Sequence, residues 1–119
     1  RLLDFIPMLI DLKQNEVDYL IDEIDRSMHP MLSQKILECY FSGLESGRDT
    51  QFIFSTHECN LLNLDLIRAD EVWFVEKGKD GASHLTSLAE FKPREDVRKG
   101  YLLGRYGAIP LLTKEAMKW

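Results

Sequence analysis

At 119 residues and 13.9 kDa, with 45% apolar and 29% charged side chains, the chain has the size and composition of one ordinary globular domain, which excludes a disordered or collagen-like polymer. Its longest apolar stretch, Phe5 to Ile10, is broken by Pro7 and falls far short of the ~20 residues a membrane-spanning helix needs. Twenty acidic against fifteen basic residues leave a net charge of −5, the wrong sign for a domain whose main work is gripping nucleic acid phosphates.

The chain opens inside an apolar run, LLDFIPMLI, that predicts a helix over residues 1–12, with Lys13-Gln14-Asn15-Glu16 as a polar connection. Starting at Arg1 in the middle of such a run, it is expected to be a piece of a longer protein. Val17-Asp18-Tyr19-Leu20-Ile21 reads as a strand ending at a carboxylate pair, Asp22-Glu23. Pro30 then suits the first turn of a helix over 29–46. Leu32, Ile36, Leu37, Tyr40, Phe41 and Leu44 recur at three- and four-residue steps, and Gly47 supplies a stop. A second strand, Gln51 to Ser55, runs into Thr56-His57-Glu58 and a short helical stretch from Leu61 to Leu66.

Glu71 to Glu76 predicts a third strand, with Trp73 and Phe74 as core residues. A glycine-rich turn at 77–81 joins it to a return strand over 83–87. The tail from Pro93 to Leu103 reads as a helix, punctuated afterwards by Gly104, Gly107 and Pro110. The fold class predicted is α/β: parallel strands with a crossover helix, followed by a C-terminal β-hairpin and helix.

If the first two strands are parallel neighbours, the intervening helix must cross over one face, and both strands end on the same sheet edge. Ligands of open parallel sheets bind beyond that edge, which would carry Asp22, Glu23 and His57 together. An aspartate can hold the water shell of magnesium, a glutamate can polarise an attacking water, and a histidine can donate to a terminal phosphate oxygen. Each residue also has a plain structural reading: a solvated strand end for the acidic pair, a cap or surface position for the histidine.

Other features read as structural. Cys39 and Cys59 have no CxxC spacing and are expected to be reduced thiols. With no leader sequence visible, they fit a cytoplasmic protein. His29 and His84 lack further ligands at metal-binding spacing. Lys92, Arg94, Arg98, Lys99 and Arg105 make the tail basic, which reads as a solvated helix face rather than a nucleic acid contact.

The segments YLIDEIDRSMHP and FIFSTHE resemble the C-terminal half of an ABC-type, SMC-like AAA ATPase domain, in particular the bacterial group linked to abortive infection and phage defence. The resemblance covers most of the chain and implies a P-loop NTPase fold. In that family the strand ending in Asp-Glu is the Walker B motif, the following loop is the D-loop, and a Thr-His after the next strand is the switch histidine. Carried over by position, Asp22 would bind magnesium through water, Glu23 would be the catalytic base and His57 would sense the γ-phosphate. Ser27-Met28-His29-Pro30 would form the D-loop, bringing Ser27 and His29 to the nucleotide; a transporter-like loop would have aspartate in place of His29. The run YLLGRYGAIPLL is similar to the tail of the same group.

The implied cofactors are ATP and Mg2+, and the implied assembly is a homodimer of the full-length protein closing on nucleotide to drive an effector such as a nuclease. The chain contains no G-x-x-x-x-G-K-[ST] loop, and Leu32-Ser33-Gln34 and Phe41-Ser42-Gly43 both follow the Asp-Glu strand, whereas the family's signature segment precedes it. The chain is therefore expected to begin after both, and to be inactive alone. Two other readings stay open: a DNA-repair or nuclease-associated ATPase of the same class, and a non-catalytic interaction module using the hairpin, Trp73, Trp119 or the tail.

Overall fold

The computed structural model describes residues 2–43, 49–93 and 96–108. The chain is mixed α/β and divides into two compact units, residues 1–61 and 62–119. The predicted positions Leu44, Gly47, Arg94, Pro110 and Trp119 lie outside the described residues.

The first unit begins with helix α1 (Leu2–Gln14), two residues longer at its end than the apolar period predicts. Phe5, Met8 and Leu12, spaced three and four apart, form its buried face, while Leu3, Ile6 and Ile10 lie on an exposed apolar face. Pro7 sits inside the helix, where it contributes no N–H. Asp11 near the helix end accepts hydrogen bonds from Asn15 Nδ2 (2.6 Å) and from the Tyr19 hydroxyl (2.7 Å), fastening α1 to the strand that follows.

Strand β1 (Asp18–Ile21) pairs in parallel with β2 (Gln51–Phe54), Asp18 opposite Gln51 and Ile21 opposite Phe54. The register is pinned at its start by side chains. Thr50 Oγ1 donates to the Val17 carbonyl, and the Gln51 amide donates to Asp18 Oδ1 at 2.8 Å. Alternation puts Tyr19, Ile21, Phe52 and Phe54 on a half-buried face and leaves Leu20 and Ile53, directly opposite each other, 80% and 53% exposed. Between the strands runs α2 (Pro30–Gly43), which buries Ser33, Ile36 and Leu37; its Tyr40 ring meets Phe52 edge-on at 5.4 Å. A single 3-10 turn, Cys59–Leu61, packs on α2 and buries Leu61.

The helical stretch expected over 61–66 does not form. Asn63 takes the local backbone donors instead. Its side chain accepts the Asp65 amide and its carbonyl accepts the amides of Leu66 and Ile67, all at 3.0 Å, so the segment closes as turns.

In the second unit, β3 (Trp73–Lys77) and β4 (Ser83–Ser87) form an antiparallel hairpin with Trp73 opposite Ser87. Glu71, expected to open the strand, instead closes a 3-10 turn, Ala69–Glu71, because its carboxylate accepts the Arg68 amide at 2.8 Å. The expectation that Trp73 and Phe74 are both core is also corrected. In a pleated strand neighbours face opposite sides, so Phe74 is buried while Trp73 is 56% exposed beside Val75 and Leu85.

Phe74 stacks in parallel with two rings, Tyr101 at 5.7 Å and Tyr106 at 5.6 Å, with Phe91 edge-on to Phe74 and Tyr106. Leu88 and Val97 complete this core. Helix α3 (Val97–Leu102) is shorter than the predicted 93–103. Asp96 caps its start by accepting the Lys99 amide at 3.0 Å. At its end Gly104, at φ +73°, donates to the Tyr101 carbonyl while Arg105 donates to the Gly100 carbonyl, the paired bonds of a glycine-terminated helix. Gly100 is needed for a different reason: a Cβ there would stand 2.9 Å from ring carbons of Tyr106. The YLLGRYG run is thus an aromatic packing device.

The Ser33 hydroxyl is fully buried on α2 and has no hydrogen-bond partner. Ser33→Ala removes that uncompensated polar group and raises helix propensity, and is expected to stabilise the chain by about 1 kcal/mol in urea denaturation.

Candidate functional site

Beyond Ile21 the chain does not turn away from the sheet at once. Ser55 donates its amide to the Ile21 carbonyl, and Ile24 donates its amide to the Ser55 carbonyl, both at 3.0 Å, so parallel pairing continues one step past both strands. Ile24 is fully buried. It acts as a plug that fixes the backbone between Glu23 and Asp25.

Glu23 sits at φ +52°, a left-handed conformation that costs a non-glycine residue roughly 1–2 kcal/mol. Local bonds hold it there. The Glu23 amide donates to Ser55 Oγ at 2.8 Å, and the same hydroxyl donates to Asp22 Oδ1, so one serine from β2's end fastens both members of the acidic pair. The Glu23 carboxylate lies 3.7 Å from the Arg26 guanidinium, with both side chains well exposed.

From the opposite direction, Asp25 reaches from β1's end to β2's. Its Oδ1 accepts the Thr56 hydroxyl at 2.6 Å and the His57 amide at 3.3 Å, while Thr56 Oγ1 accepts the Glu58 amide at 3.0 Å. Burial pushes the Asp25 carboxyl up, but the bonds from Thr56, from its own amide and from the His57 amide, with the His57 charge, together hold it below the ordinary carboxylate range. Because the folded value is depressed, the resulting stabilisation is complete above the ordinary aspartate value and is lost as pH falls through the lowered one.

The loop that follows closes as two overlapping turns, Arg26 donating to the Glu23 carbonyl and Met28 to the Asp25 carbonyl. Ser27, exposed at φ +61°, lies at the second of them. His29 has a structural duty. It precedes the first residue of α2 and its Nδ1 accepts the Met31 amide at 3.3 Å, so the imidazole caps the helix.

The parallel pairing therefore brings the backbones of Asp22, Glu23 and His57 to one edge, with Ser27 and His29 in the loop leading to α2. Ser55, Thr56 and Asp25 complete this edge and were not singled out by the sequence. For Asp25 a signal existed in the spacing Asp-Glu-x-Asp, whose third carboxylate follows an apolar residue that must turn inward.

The donors here are carboxylate and hydroxyl oxygens, which suit a hard, hydrated cation such as magnesium better than a soft metal. Asp22, exposed and held by Ser55, fits the single-carboxylate, water-mediated mode by which magnesium is bound beside phosphates. Among the described residues there is no cluster of three or more His, Cys, Asp or Glu side chains placed to enclose a metal. Cys39 and Cys59 are half-buried free thiols. Lys92, Arg98, Lys99 and Arg105 are exposed. No helix of the described residues is long and apolar enough to cross a membrane.

The chain matches no protein-family model and no curated protein.

Proposed function

We propose that this chain supplies the Walker B, D-loop and switch-histidine portion of an ABC-type, SMC-like ATPase site, within a P-loop NTPase domain whose glycine-rich phosphate loop comes from elsewhere in a longer protein. The observation that carries the reading is the edge itself. A parallel strand pair ends in Asp22-Glu23 and Ser55-Thr56-His57, and hydrogen bonds running in both directions hold the two ends together. The exposed Leu20 and Ile53 face adds support, since parallel sheets are usually covered on both faces and this one fits a further covering layer.

In this reading Asp22 holds the hydrated magnesium, which neutralises phosphate charge when bound. Glu23, outside the buried plug, accepts a proton from the attacking water. His57 donates to a γ-phosphate oxygen. Ser27 and His29 lie in the loop that meets nucleotide across a dimer. The biological setting we favour is phage defence by abortive infection, with nucleotide-driven homodimerisation acting on an effector such as a nuclease, in the cytoplasm. Nothing in the site favours nucleic acid as a direct ligand.

The test is titration of Mg-ATP into the full-length protein. Wild type is expected to bind and hydrolyse it. Asp22→Asn is expected to lose at least about tenfold in metal-dependent nucleotide affinity, because a neutral amide cannot order the cation's waters. A full-length protein that neither binds nor hydrolyses Mg-ATP would overturn the proposal and favour an interaction module.

A further inference from the structure

We propose that Asp25 is a positioning residue that sets the place of His57 relative to Glu23; the inference concerns the site proposed above and rests on that reading for its kinetic consequence. Asp22 and Glu23 have obvious chemical duties, but Asp25 points its carboxylate at the other strand's end rather than outward. It accepts from the Thr56 hydroxyl at 2.6 Å and from the His57 amide at 3.3 Å, across more than thirty residues of sequence.

Two clips thus cross between the strand ends in opposite directions. Ser55 of β2's end reaches Asp22 and Glu23, and Asp25 of β1's end reaches Thr56 and His57. Between them lies fully buried Ile24, bonded through its amide to the Ser55 carbonyl. Neither loop can shift alone without breaking a clip or withdrawing the plug. A base and a phosphate sensor must be placed together to within a fraction of an ångström, and a misplacement of about 1 Å can cost on the order of 10²-fold in rate. Asp25 itself needs no contact with nucleotide. Its clip is also redundant with no helix or strand hydrogen bond, since the His57 amide lies beyond β2 (Gln51–Phe54).

Three substitutions separate positioning from charge. Asp25→Ala removes both acceptor bonds. Asp25→Asn keeps a carbonyl oxygen that accepts them and removes the charge. Asp25→Ser keeps a polar group but shortens the side chain so that it no longer reaches the Thr56 hydroxyl or the His57 amide. In this chain, amide hydrogen exchange followed by NMR is expected to show the His57 amide exchanging about tenfold faster in Asp25→Ala, with Asp25→Asn retaining most of the protection. In the full-length protein, Asp25→Ala is expected to lower kcat for ATP by at least about tenfold while KM stays within about threefold. Asp25→Asn should recover most of that loss.

Unchanged exchange at His57 in Asp25→Ala, or an Asp25→Asn variant as impaired as Asp25→Ala, would overturn the proposal. Should Asp25→Ala fail to fold, Asp25→Ser decides: faster exchange at His57 supports the clip, and wild-type exchange refutes it. A wild-type full-length protein without ATPase activity would remove the proposed function, yet the exchange measurement on this chain would still decide whether Asp25 holds His57.

Discussion

Glu23→Gln in the full-length protein is expected to slow ATP hydrolysis by about 10²-fold or more while leaving Mg-ATP binding intact. The substitution is informative because it disturbs little else. Glu23's left-handed backbone is held through its amide, which donates to Ser55 Oγ, and glutamine keeps that amide. Its side chain preserves length and hydrogen-bonding reach and loses the negative charge and, with it, the basicity. The Arg26 partner at 3.7 Å is exposed and, as a surface pair, contributes little to stability, so its loss should not unfold the loop. With hydrolysis blocked, bound ATP should accumulate and favour the closed dimer, since ligand that binds one state preferentially shifts the equilibrium toward it. Size-exclusion chromatography with Mg-ATP would show the shift. Equal hydrolysis rates in wild type and Glu23→Gln would refute the catalytic-base role.

How much of this arrangement could be read beforehand depends on the range of the interactions that create it. Strands at 17–21 and 51–55 announce themselves by apolar, β-branched and aromatic content, and β1 and β2 fall within one residue of those bounds. Their parallel pairing, a condition in the sequence reading, is what the structure shows; the length of the intervening helical segment permits it without requiring it. The clips were not legible. Ser55 and Thr56 look like ordinary polar residues until the pairing brings the two strand ends together and Asp22 and Asp25 come within reach of them, and pairing is a property of two segments rather than one.

Local competition explains the errors. At 61–66 the apolar spacing suggested a helix, but Asn63 offered the backbone a nearer set of partners. At Glu71 a carboxylate turned back on the Arg68 amide and delayed the strand by two residues. His29 has a capping role in the structure and a second, nucleotide-facing one only in the proposed function. Its place before Pro30 made it part of a recognisable loop, and the same place made it the residue that caps α2. A capping duty and a nucleotide-facing duty need different faces of the imidazole, Nδ1 for the first and Nε2 for the second.

Phe74→Ala is expected to destabilise the second unit by about 3–5 kcal/mol. The reason is the stack. Phe74 is buried and stacks with both Tyr101 and Tyr106, whose planes lie within 9° and 4° of its own, and Phe91 meets it edge-on. Removing the shared ring takes the stacking partner from both tyrosines and opens a cavity, which Tyr106, held close against Gly100, is not free to fill. Each aromatic pair lost adds roughly 0.5–1.5 kcal/mol to the cost of burial alone. Phe74→Leu should recover about half, since it fills volume without stacking. Trp73→Ala, on the exposed face of the same strand, should cost less than half as much as Phe74→Ala. Urea denaturation, with hydrogen exchange at the β3 and β4 amides to localise the effect, would give the ranking. If Trp73→Ala proved as damaging as Phe74→Ala, the hairpin's core would lie on its other face and the packing role assigned to Tyr101 and Tyr106 would fail.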